Sequence, residues 1–580
     1  MIKALLLIIE RAKRPRPFAL VILSVFGSFL DAVSVALVVP LLSAIMDPLF
    51  LDNNQYIRRF FDLLGITTPA TRILIFCGSL IAFFILKTLY QLLVLYYQSN
   101  YYSTAIETLS TDLLSRYLRA DFLFHISNNP ADLIRNIKTE IPIIFLRILY
   151  GSINILTDIV MLVGILGVLL FIEPVITFAG IGVLGFVNLV FFRSIKANIK
   201  KYGKIRQEQE AETYKWISQS LGGIKELKVL DRISYFMGKS AHSYHQLKRT
   251  SVFSEVMGKS PKIFIEGIAF ALLVALIMLL LLSGGENASV LPKIAMFAAA
   301  LFKIMPSVNR LMGESMQIRF SKPALDVIVK AYNDVDINTT VDREPETMIN
   351  EQSAITYDEL AIRDLHYSYP GTNKDILRDF SLTIHKNESI GIIGSSGAGK
   401  TTLLNILLGL LRPTSGGIYM GGVDILANTK LWKLMIGFVP QDIFLLDDSI
   451  RANVAYGINA EMIDDVLVWK ALEMAQLDSL VRELDAGLDA QVGDRGLRLS
   501  GGQRQRIGIA RALFCNPEVL IFDEATSSLD NETEADITKA INSLMGKKTI
   551  IIVAHRLSTL KKCDRIIKLH SGRPEVVENV

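Results

Sequence analysis

Six long apolar segments constrain this chain more than any other feature of its sequence. Each reaches or exceeds the roughly 20 residues that a helix needs to cross about 30 Å of hydrocarbon. A composition of 51% hydrophobic and only 20% charged residues is also typical of a membrane protein. The sequence therefore predicts six transmembrane helices rather than six buried helices of a soluble protein, at about residues 18–45, 71–98, 143–171, 174–195, 263–283 and 291–313.

Lysine and arginine residues indicate which connections face the cytoplasm. The long connections 103–140 and 196–260 are rich in both, whereas the links 46–70 and 284–290 carry few cations. Both termini and both long connections are therefore expected on the cytoplasmic side. The connections also read as helices that extend beyond the bilayer, because they are polar and contain few helix breakers.

Four shorter stretches refine this organisation. The runs "HISNNPADL" (125–133) and "QSLGGIKELKVL" (219–230) interrupt the helical pattern, and predict reversals of direction with a short helix at each tip. The N-terminus, "MIKALLLIIERAKRPRPFAL", predicts an amphipathic helix on the cytoplasmic membrane surface. Residues 47–66 contain "YIRRFFDLL", which predicts either a short amphipathic helix on the outer surface or a plain interfacial loop.

The pattern changes beyond about Thr356, where short β-type runs alternate with glycine turns and helices. This pattern is typical of an α/β domain. The expected domains are a transmembrane domain over 1–325, a polar and acidic linker over 326–356 and an α/β domain over 357–580. The fold class is thus an all-α six-helix membrane domain with cytoplasmic extensions, fused to an α/β P-loop domain. The small net charge of +4 gives no support for nucleic-acid binding.

The run "GIIGSSGAGKTTLL" carries the strongest chemical signal, since a β-type run precedes it and a helical run follows it. In this context the backbone N–H groups of the glycine-rich turn surround phosphate oxygens at a helix N-terminus. Lys400 is expected to reach the β- and γ-phosphates, and Thr401 to offer its hydroxyl to Mg²⁺. The predicted ATP-binding loop comprises Gly394, Ser395, Ser396, Gly397, Ala398, Gly399, Lys400, Thr401 and Thr402.

Further runs supply the groups that hydrolysis needs. "EVLIFDEATSSLD" ends an apolar strand in Asp523, a predicted metal ligand, and Glu524, which would orient or deprotonate the attacking water. Asp530 closes the same run and is expected at the nucleotide. Gln441, in "GFVPQDIFLL", is predicted to contact Mg²⁺ or the attacking water, and His555, in "IIIVAHRLSTL", the γ-phosphate.

A second anion-binding helix start is predicted at "LSGGQRQRIGIARAL". Together with the preceding runs, over about residues 357–580, it resembles the nucleotide-binding domain of ATP-binding cassette transporters. The resemblance implies that Tyr369 stacks on adenine. It also implies that the run "LSGGQ" (499–503), the signature motif, of one chain completes the ATP site of a second copy. Two chains would thus enclose two ATP molecules, with signature contacts from Ser500, Gly501, Gly502 and Gln503.

The membrane region is similar to the exporters of the same family. Each of their chains fuses one membrane domain to one nucleotide-binding domain, here called the motor. This resemblance implies that the short helices near 125–133 and 219–230 are coupling helices. It also implies that the run "VGDRG" (492–496), with Asp494 where many exporters have Glu, lies against them.

Four cations fall in the inner half of the predicted membrane domain: Lys87, Lys262, Lys303 and Arg310. Charged groups in hydrocarbon are costly, so they either line a polar cavity or extend to the headgroups. A third alternative is that Asp31, Asp158 and Glu266 neutralise them. If the cations line a cavity, the cargo carries an anionic group.

Three segments, "DNNQYIRRFFDLLGI", "PKIFIEGIAF" and "KIMPSVNRL", are similar to the bacterial flippases of lipid-linked oligosaccharides in protein N-glycosylation. The resemblance implies export of a polyprenyl-pyrophosphate saccharide across a bacterial inner membrane by a homodimer. Lys87, Lys262 and Lys303 align with basic cavity residues of those flippases, but all three are Lys rather than Arg, so bidentate phosphate contacts are lost. The alternatives are a drug, peptide or lipid A exporter and an ATP-gated channel. A soluble cassette ATPase acting on nucleic acid or ribosomes is a further alternative, but the six predicted spans argue against it.

Overall fold

The computed structural model divides the chain into two compact units, Met1–Asp342 and Arg343–Val580. The described part of the first unit is helical. The described residues are 2–11, 18–37, 68–172, 174–282, 287–338, 357–372, 374–493, 496–524, 531–554 and 556–577. The helices of the first unit are α1 (Ile2–Arg11), α2 (Phe18–Ala36), α3 (Pro69–Arg119), α4 (Phe122–Ser127), α5 (Pro130–Arg135), α6 (Ile141–Ile143), α7 (Tyr150–Ile172), α8 (Pro174–Gly222), α9 (Ile224–Val229), α10 (Ile233–Leu282) and α11 (Asn287–Asn338).

The predicted apolar segments are helical over their described residues, apart from a turn at Leu37, and the segment 143–171 spans the end of α6, a π-helical segment and α7. Among the described residues, two helical stretches, Thr71–Arg119 and Pro130–Phe171, are long and apolar enough to cross a membrane, and Phe18–Ser34 is a shorter apolar helix. Helices α3, α8, α10 and α11 have 51, 49, 50 and 52 residues. At about 1.5 Å per residue each exceeds twice the thickness of a bilayer's hydrocarbon core. The predicted extension of the helices beyond the bilayer agrees with these lengths.

The short helices expected at the chain reversals are present as α4, α5 and α9. Helix α5 begins because the side chain of Asn129 accepts a hydrogen bond from Ala131 N and because Pro130 occupies its first position. Their assignment as coupling helices stays a prediction.

Two π-helical segments, 136–140 and 144–149, join α5 to α7. The first ends at Glu140, which is fully buried and lies 3.4 Å from the Arg206 guanidinium of α8. Arg206 also pairs with Glu210 one turn later, at 2.6 Å. Burial and the charge of Glu140 raise the pKa of Glu210, whereas Arg206 opposes this shift. These buried charges tie α8 to the π-helical segment.

The N-terminal helix α1 has the predicted amphipathic pattern, but protein covers part of its apolar surface. Leu5, Ile8 and Ile9 are buried in a cluster with side chains of α3 and α11, while Leu6 and Leu7 remain exposed. Its location on the membrane surface stays a prediction. The predicted outer helix within 47–66 lies outside the described residues.

The predicted linker is wrong at its beginning, because α11 continues to Asn338. Ile328, Tyr332 and Val335 are fully buried at helical spacing, and this apolar stripe keeps the last turns packed on α3. The polar composition of 333–338 concealed the stripe. The membrane unit therefore extends at least to residue 338, and residues 339–356 lie outside the described residues.

The described residues of the second unit form two sheets. Their strands are β1 (Glu359–Ser368), β2 (Asp375–His385), β3 (Ser389–Gly394), β4 (Ser415–Met420), β5 (Val423–Asp424), β6 (Ile436–Val439), β7 (Val519–Asp523), β8 (Thr549–Val553), β9 (Arg565–His570) and β10 (Arg573–Val577). A six-stranded sheet has the order β10-β9-β3-β8-β7-β6, in which only the β9–β10 pair is antiparallel. An antiparallel sheet has the order β2-β1-β4-β5.

The central parallel strands β7 and β8 are apolar along almost their whole length because helices and neighbouring strands bury both faces. Their core side chains are fully or nearly fully buried. The helices of this unit are α12 (Lys400–Leu407), α13 (Thr429–Met435), α14 (Ile450–Val454), α15 (Asp465–Met474), α16 (Asp478–Glu483), α17 (Gly501–Phe514) and α18 (Asn531–Leu544).

Candidate functional site

The carboxyl ends of four parallel strands bring the predicted ATP-site motifs to one edge of the six-stranded sheet. Strand β3 ends at Gly394, β7 ends at Asp523, and β6 ends two residues before Gln441. Asp523 pairs in register with Val553, the last residue of β8, and Val439 of β6 pairs with Phe522. Ligands of open α/β sheets bind at this edge, so the topology supports the predicted site.

The loop after β3 has the backbone geometry of a phosphate-binding turn. Gly397 and Gly399 have φ values of +79° and +103°, which side-chain-bearing residues rarely adopt. Lys400 Nζ donates to Gly394 O at 2.7 Å and Ser395 O at 3.2 Å, which places the amine beside the loop. Helix α12 begins at Lys400, so its first N–H groups are available for an anion.

The side chains around this loop are arranged as the predicted roles require. Ser395, Ser396, Gly397 and Thr401 are exposed, whereas Ala398, Gly399, Lys400 and Thr402 are buried. The Tyr369 hydroxyl lies 3.4 Å from Thr402 Oγ1, and its ring meets Tyr367 edge to face with centroids 5.1 Å apart. The aromatic ring thus lies next to the loop, and its stacking on adenine stays a prediction.

The predicted hydrolytic groups Glu524 and Gln441 are in direct contact. Gln441 Nε2 donates to Glu524 Oε2 at 3.0 Å. Glu524 has a φ of +47°, which is unusual for a residue with a side chain, and its N–H donates to Val553 O at 2.8 Å. Such backbone strain is concentrated at functional sites. The hydroxyl of Thr401, the carboxylate of Asp523 and the amide oxygen of Gln441 are the hard oxygen ligands that fit Mg²⁺.

The Asp523 carboxyl titrates unusually. Burial raises its pKa above the ordinary value, the neighbouring Glu524 charge raises it further, and Lys400 opposes both effects. Asp523 therefore takes up a proton at a higher pH than a free aspartic acid. Since the protonated carboxyl is a poor metal ligand, acidification is expected to weaken Mg²⁺-dependent nucleotide binding earlier than a normal carboxyl would.

This shift gives a testable pH dependence. Glu524→Gln removes one of the two causes that raise the pKa of Asp523, so the acid midpoint of Mg²⁺-dependent AMP-PNP binding is expected to move to lower pH. Glu518→Gln, just before the opposite end of β7, is the matched control and is expected to leave the midpoint unchanged. Equal midpoints in wild type and Glu524→Gln would contradict the electrostatic coupling. Equilibrium binding of a fluorescent AMP-PNP derivative measures it.

The signature motif begins helix α17 with a reciprocal cap. Gln503 N donates to Ser500 Oγ at 3.2 Å, and Ser500 N donates to Gln503 Oε1 at 2.9 Å. Gly501 and Gly502 form the first turn between them. Helix α17 packs on α14, α15 and β6, whereas α12 packs on β2 and β3. The two motifs thus belong to different parts of the unit, and signature contact with a second copy stays a prediction.

Three predicted residues lie outside the described part of the chain: His555, Asp530 and Asp494. Their roles stay predictions. The strands that precede His555 and the run containing Asp530 are nevertheless described, and both end at the edge that carries Gly394 and Asp523.

In the first unit, Lys87 is buried and paired. Its Nζ lies 2.7 Å from Asp31 Oδ1 and donates to Ser34 Oγ at 2.6 Å. The Lys303 ammonium lies 3.2 Å from the same Asp31 oxygen, and Gln91 Nε2 donates to the other oxygen at 3.1 Å. One carboxylate on α2 therefore holds cations from α3 and α11.

The other two predicted cavity cations also have acidic partners. Arg310 donates from Nη2 and Nε to the two carboxylate oxygens of buried Asp158, at 2.6 and 3.0 Å. Lys262 lies 3.7 Å from Glu266, one helical turn away, and its side chain is 64% exposed. Each of the four cations thus contacts a carboxylate of Asp31, Asp158 or Glu266, as in the alternative of neutralisation, and Lys87 and Lys303 share Asp31. Their place in a cavity stays a prediction.

Ser34 and Gln91 also belong to this cluster, although they are not among the residues predicted from the sequence. Ser34 follows Asp31 by three residues on α2, and Gln91 follows Lys87 by four on α3. Residues at these spacings share a helix face, so a search for polar side chains one turn from each charge would have found them.

The chain is similar to known transporters over both units. A family model described as "ABC transporter" matches residues 377–527, and one described as "ABC transporter transmembrane region" matches 21–305. A bacterial Atm1-family ABC exporter with ATP bound aligns with a TM-score of 0.72 and 22% identity, covering 95% of this chain and 94% of that chain. This structural likeness shows the fold.

Curated relatives of similar length share part of the sequence. ATP-dependent lipid A-core flippases from Methylobacillus flagellatus and Thiobacillus denitrificans are 30% and 27% identical, over 72% and 95% of this chain and 69% and 91% of those proteins. A multidrug resistance ABC transporter from Lactococcus lactis is 31% identical over 72% of this chain and 69% of that protein. These relatives do not support the finer resemblance to the flippases of protein N-glycosylation.

Proposed function

This chain belongs to the ABC transporter family as an exporter half-transporter, and from that premise we propose that two copies flip an anionic lipid outward across a bacterial inner membrane. Its activity is ATP hydrolysis coupled to transport. The proposed cargo is a lipid with a phosphorylated head, either a polyprenyl-pyrophosphate saccharide or a phosphorylated saccharolipid such as lipid A. Its acyl or prenyl part would stay in the bilayer while the head crosses a polar cavity.

The charge count around Asp31 is the observation that carries this proposal. Two ammonium groups, Lys87 and Lys303, share one carboxylate, so this group of described residues has one positive charge in excess. Lys87 is 7% exposed, whereas the Lys303 side chain is 40% exposed. Lys87 is therefore proposed to be a structural partner of Asp31, and Lys303 to offer the spare charge to an anionic head. Lys262 and Arg310 stay predicted contributors to the cavity.

The ATP site supports the power stroke of such an exporter. Lys400 and the N–H groups of its loop would bind the phosphates of ATP, while Ser500 and Gln503 of the second copy would close the site from above. Gln441 would orient the attacking water and Glu524 would accept its proton. Bound Mg²⁺ would supply charge neutralisation at the phosphates. Closure of the two motors would pass through the short helices α4 and α9 to the membrane domain.

The Lys303 contact gives the direct test of the cargo. Lys303→Gln is expected to lower flipping of a phosphorylated lipid about tenfold or more, because a charge-assisted contact contributes about 1.5–3 kcal/mol. Basal ATPase should change little, since the motor is intact. Lys259→Gln is the matched control: Lys259 is on α10, 75% exposed and paired with Glu255 at 2.7 Å.

Proteoliposomes separate the possible cargoes. ATP-dependent flipping is measured with three fluorescent substrates: a pyrophosphate-linked glycolipid, a phosphorylated saccharolipid and an uncharged drug. The proposal expects one of the first two to be flipped in a Lys303-dependent manner. Flipping of the uncharged drug alone, unaffected by Lys303→Gln, would overturn the anionic cargo.

A multidrug exporter is the second candidate. The Lactococcus lactis relative is named a multidrug transporter, and the paired state of Lys87 and Arg310 reduces the free positive charge of the membrane unit. The uncharged-drug arm of the same assay tests it.

A further inference from the structure

The segment after Gln441 is bound to the signature helix by hydrogen bonds from Arg511. Arg511 lies in the last turn of α17, ten residues beyond the glycines that open it. Its Nη1 donates to Phe444 O at 2.9 Å, and its Nε donates to Asn453 O at 2.9 Å. Its guanidinium also lies 4.4 Å from the ring centroid of Tyr456. One side chain thus joins α17, the loop 441–446 and the end of α14.

Asn453 completes this fastening from within the protein. It is fully buried, and its Oδ1 accepts from Leu446 N at 2.8 Å and from Arg511 Nη2 at 3.3 Å. Its Nδ2 donates to Leu446 O and Ser449 O, both at 3.0 Å. The loop backbone is therefore held at Phe444 and Leu446, because Phe444 O accepts from Arg511 and both the N–H and the carbonyl of Leu446 are bonded to Asn453.

Side-chain packing reinforces the same contact. A Cβ at Gly508 of α17 would lie 2.1 Å from Ile443 Cδ1, so the helix has no side chain where Ile443 rests. A Cβ at Gly496 would lie 2.7 Å from Leu445 Cδ1. Ile443 of the loop thus packs directly on the signature helix at Gly508, and Leu445 packs on Gly496, which precedes that helix.

We infer that Arg511 is a positioning residue for ATP hydrolysis: it fixes the loop that presents Gln441 to Glu524 onto the helix that begins with Ser500 and Gln503. The loop is held at its other end by the hydrogen bond from Gln441 to Glu524. A displacement of α17 is thereby carried to Gln441 through only a few residues. This inference rests on the proposed roles of Gln441 and Glu524.

A double-mutant cycle on the full-length protein in proteoliposomes tests the inference. Arg511→Gln is expected to lower kcat about tenfold with little change in the KM for ATP, since a misplaced catalytic group slows the chemical step while the phosphate loop still binds ATP. If Arg511 acts through Gln441, adding Arg511→Gln to Gln441→Ala lowers kcat by less than about twofold further.

Arg506→Gln is the matched control, because Arg506 lies on the same helix and makes two hydrogen bonds elsewhere, compared with three from Arg511. Arg506 donates to Gln476 O at 2.9 Å and to Asp536 at 2.7 Å, away from the loop. It is expected to lower the unfolding temperature about as much as Arg511→Gln while keeping kcat within about twofold of the wild type. Arg511→Lys keeps the charge and the buried stem, and is expected to restore part of kcat.

The outcomes separate the inference from the proposed function. Wild-type kcat in Gln441→Ala would refute the proposed role of Gln441 itself. An impaired Gln441→Ala with fully multiplicative losses in the double variant would overturn the inference and leave that role intact. Equal kcat losses in Arg506→Gln and Arg511→Gln would also overturn it, because a general loss of stability would then explain both. If Arg511→Gln does not fold, the same cycle with Arg511→Lys decides.

Discussion

Glu524→Gln is expected to abolish steady ATP hydrolysis while leaving ATP binding intact. The carboxylate is proposed to accept a proton from the attacking water, and loss of a general base typically costs about 10²–10⁴-fold in rate. Gln has the same shape and can keep the contact with Gln441, which is 3.0 Å in the wild type. Phosphate contacts from Lys400 and the loop are not touched, so binding should survive.

The measurement is phosphate release together with equilibrium ATP binding. Glu518→Gln is the matched control, because it precedes the other end of β7 and should keep wild-type turnover. If binding persists and hydrolysis is lost, the variant should also accumulate an ATP-bound dimer. Wild-type turnover in Glu524→Gln would remove Glu524 from its proposed role.

Breaking the pair between Arg310 and Asp158 is expected to have the largest effect on the stability of the membrane unit. Asp158 is 4% exposed, and both of its oxygens accept from Arg310. Arg310→Gln leaves this buried carboxylate without its charged partner, a change that typically costs about 3–5 kcal/mol. We expect the lower end of that range, since the Arg310 side chain is 54% exposed.

A double variant separates the pair from its members. Arg310→Gln with Asp158→Asn removes both charges and is expected to recover much of the stability, because no uncompensated charge remains. Thermal unfolding in detergent measures it. The exposed pair Lys259 and Glu255 is the control, and Lys259→Gln should leave the unfolding temperature nearly unchanged. A double variant as unstable as Arg310→Gln alone would contradict the pairing.

The cations around Asp31 and Asp158 look alike in the sequence but differ in their contacts. Arg310 on α11 and Asp158 on α7 tie two long helices together, and Lys87 ties α3 to α2 in the same way. Lys303 makes the longer contact with Asp31, at 3.2 Å, whereas Lys87 lies 2.7 Å from the same oxygen. Lys87 is therefore proposed to be a structural residue and Lys303 to contact the cargo, so these two lysines would not line a cavity in the same way.

The motor fold and the membrane helices follow from local patterns. Apolar runs longer than 20 residues, a glycine-rich turn between strand and helix, and the capped start of α17 each lie within one continuous stretch of chain, so the sequence alone reveals them. The same holds for the short helices α4, α5 and α9. The end of α11 was misjudged because its polar surface conceals a buried stripe that only packing on α3 explains.

The pairing of charges was decided by tertiary structure. Lys303 and Asp31 are 272 residues apart, Arg310 and Asp158 are 152 apart, and Gln441 and Glu524 are 83 apart. A sequence shows which charges exist, whereas the free energy of a buried charge depends on the one neighbour that the fold brings within hydrogen-bonding distance. The sequence by itself therefore determined an ATP-driven membrane protein of this architecture, and the fold decided which carboxylate each of its membrane cations contacts.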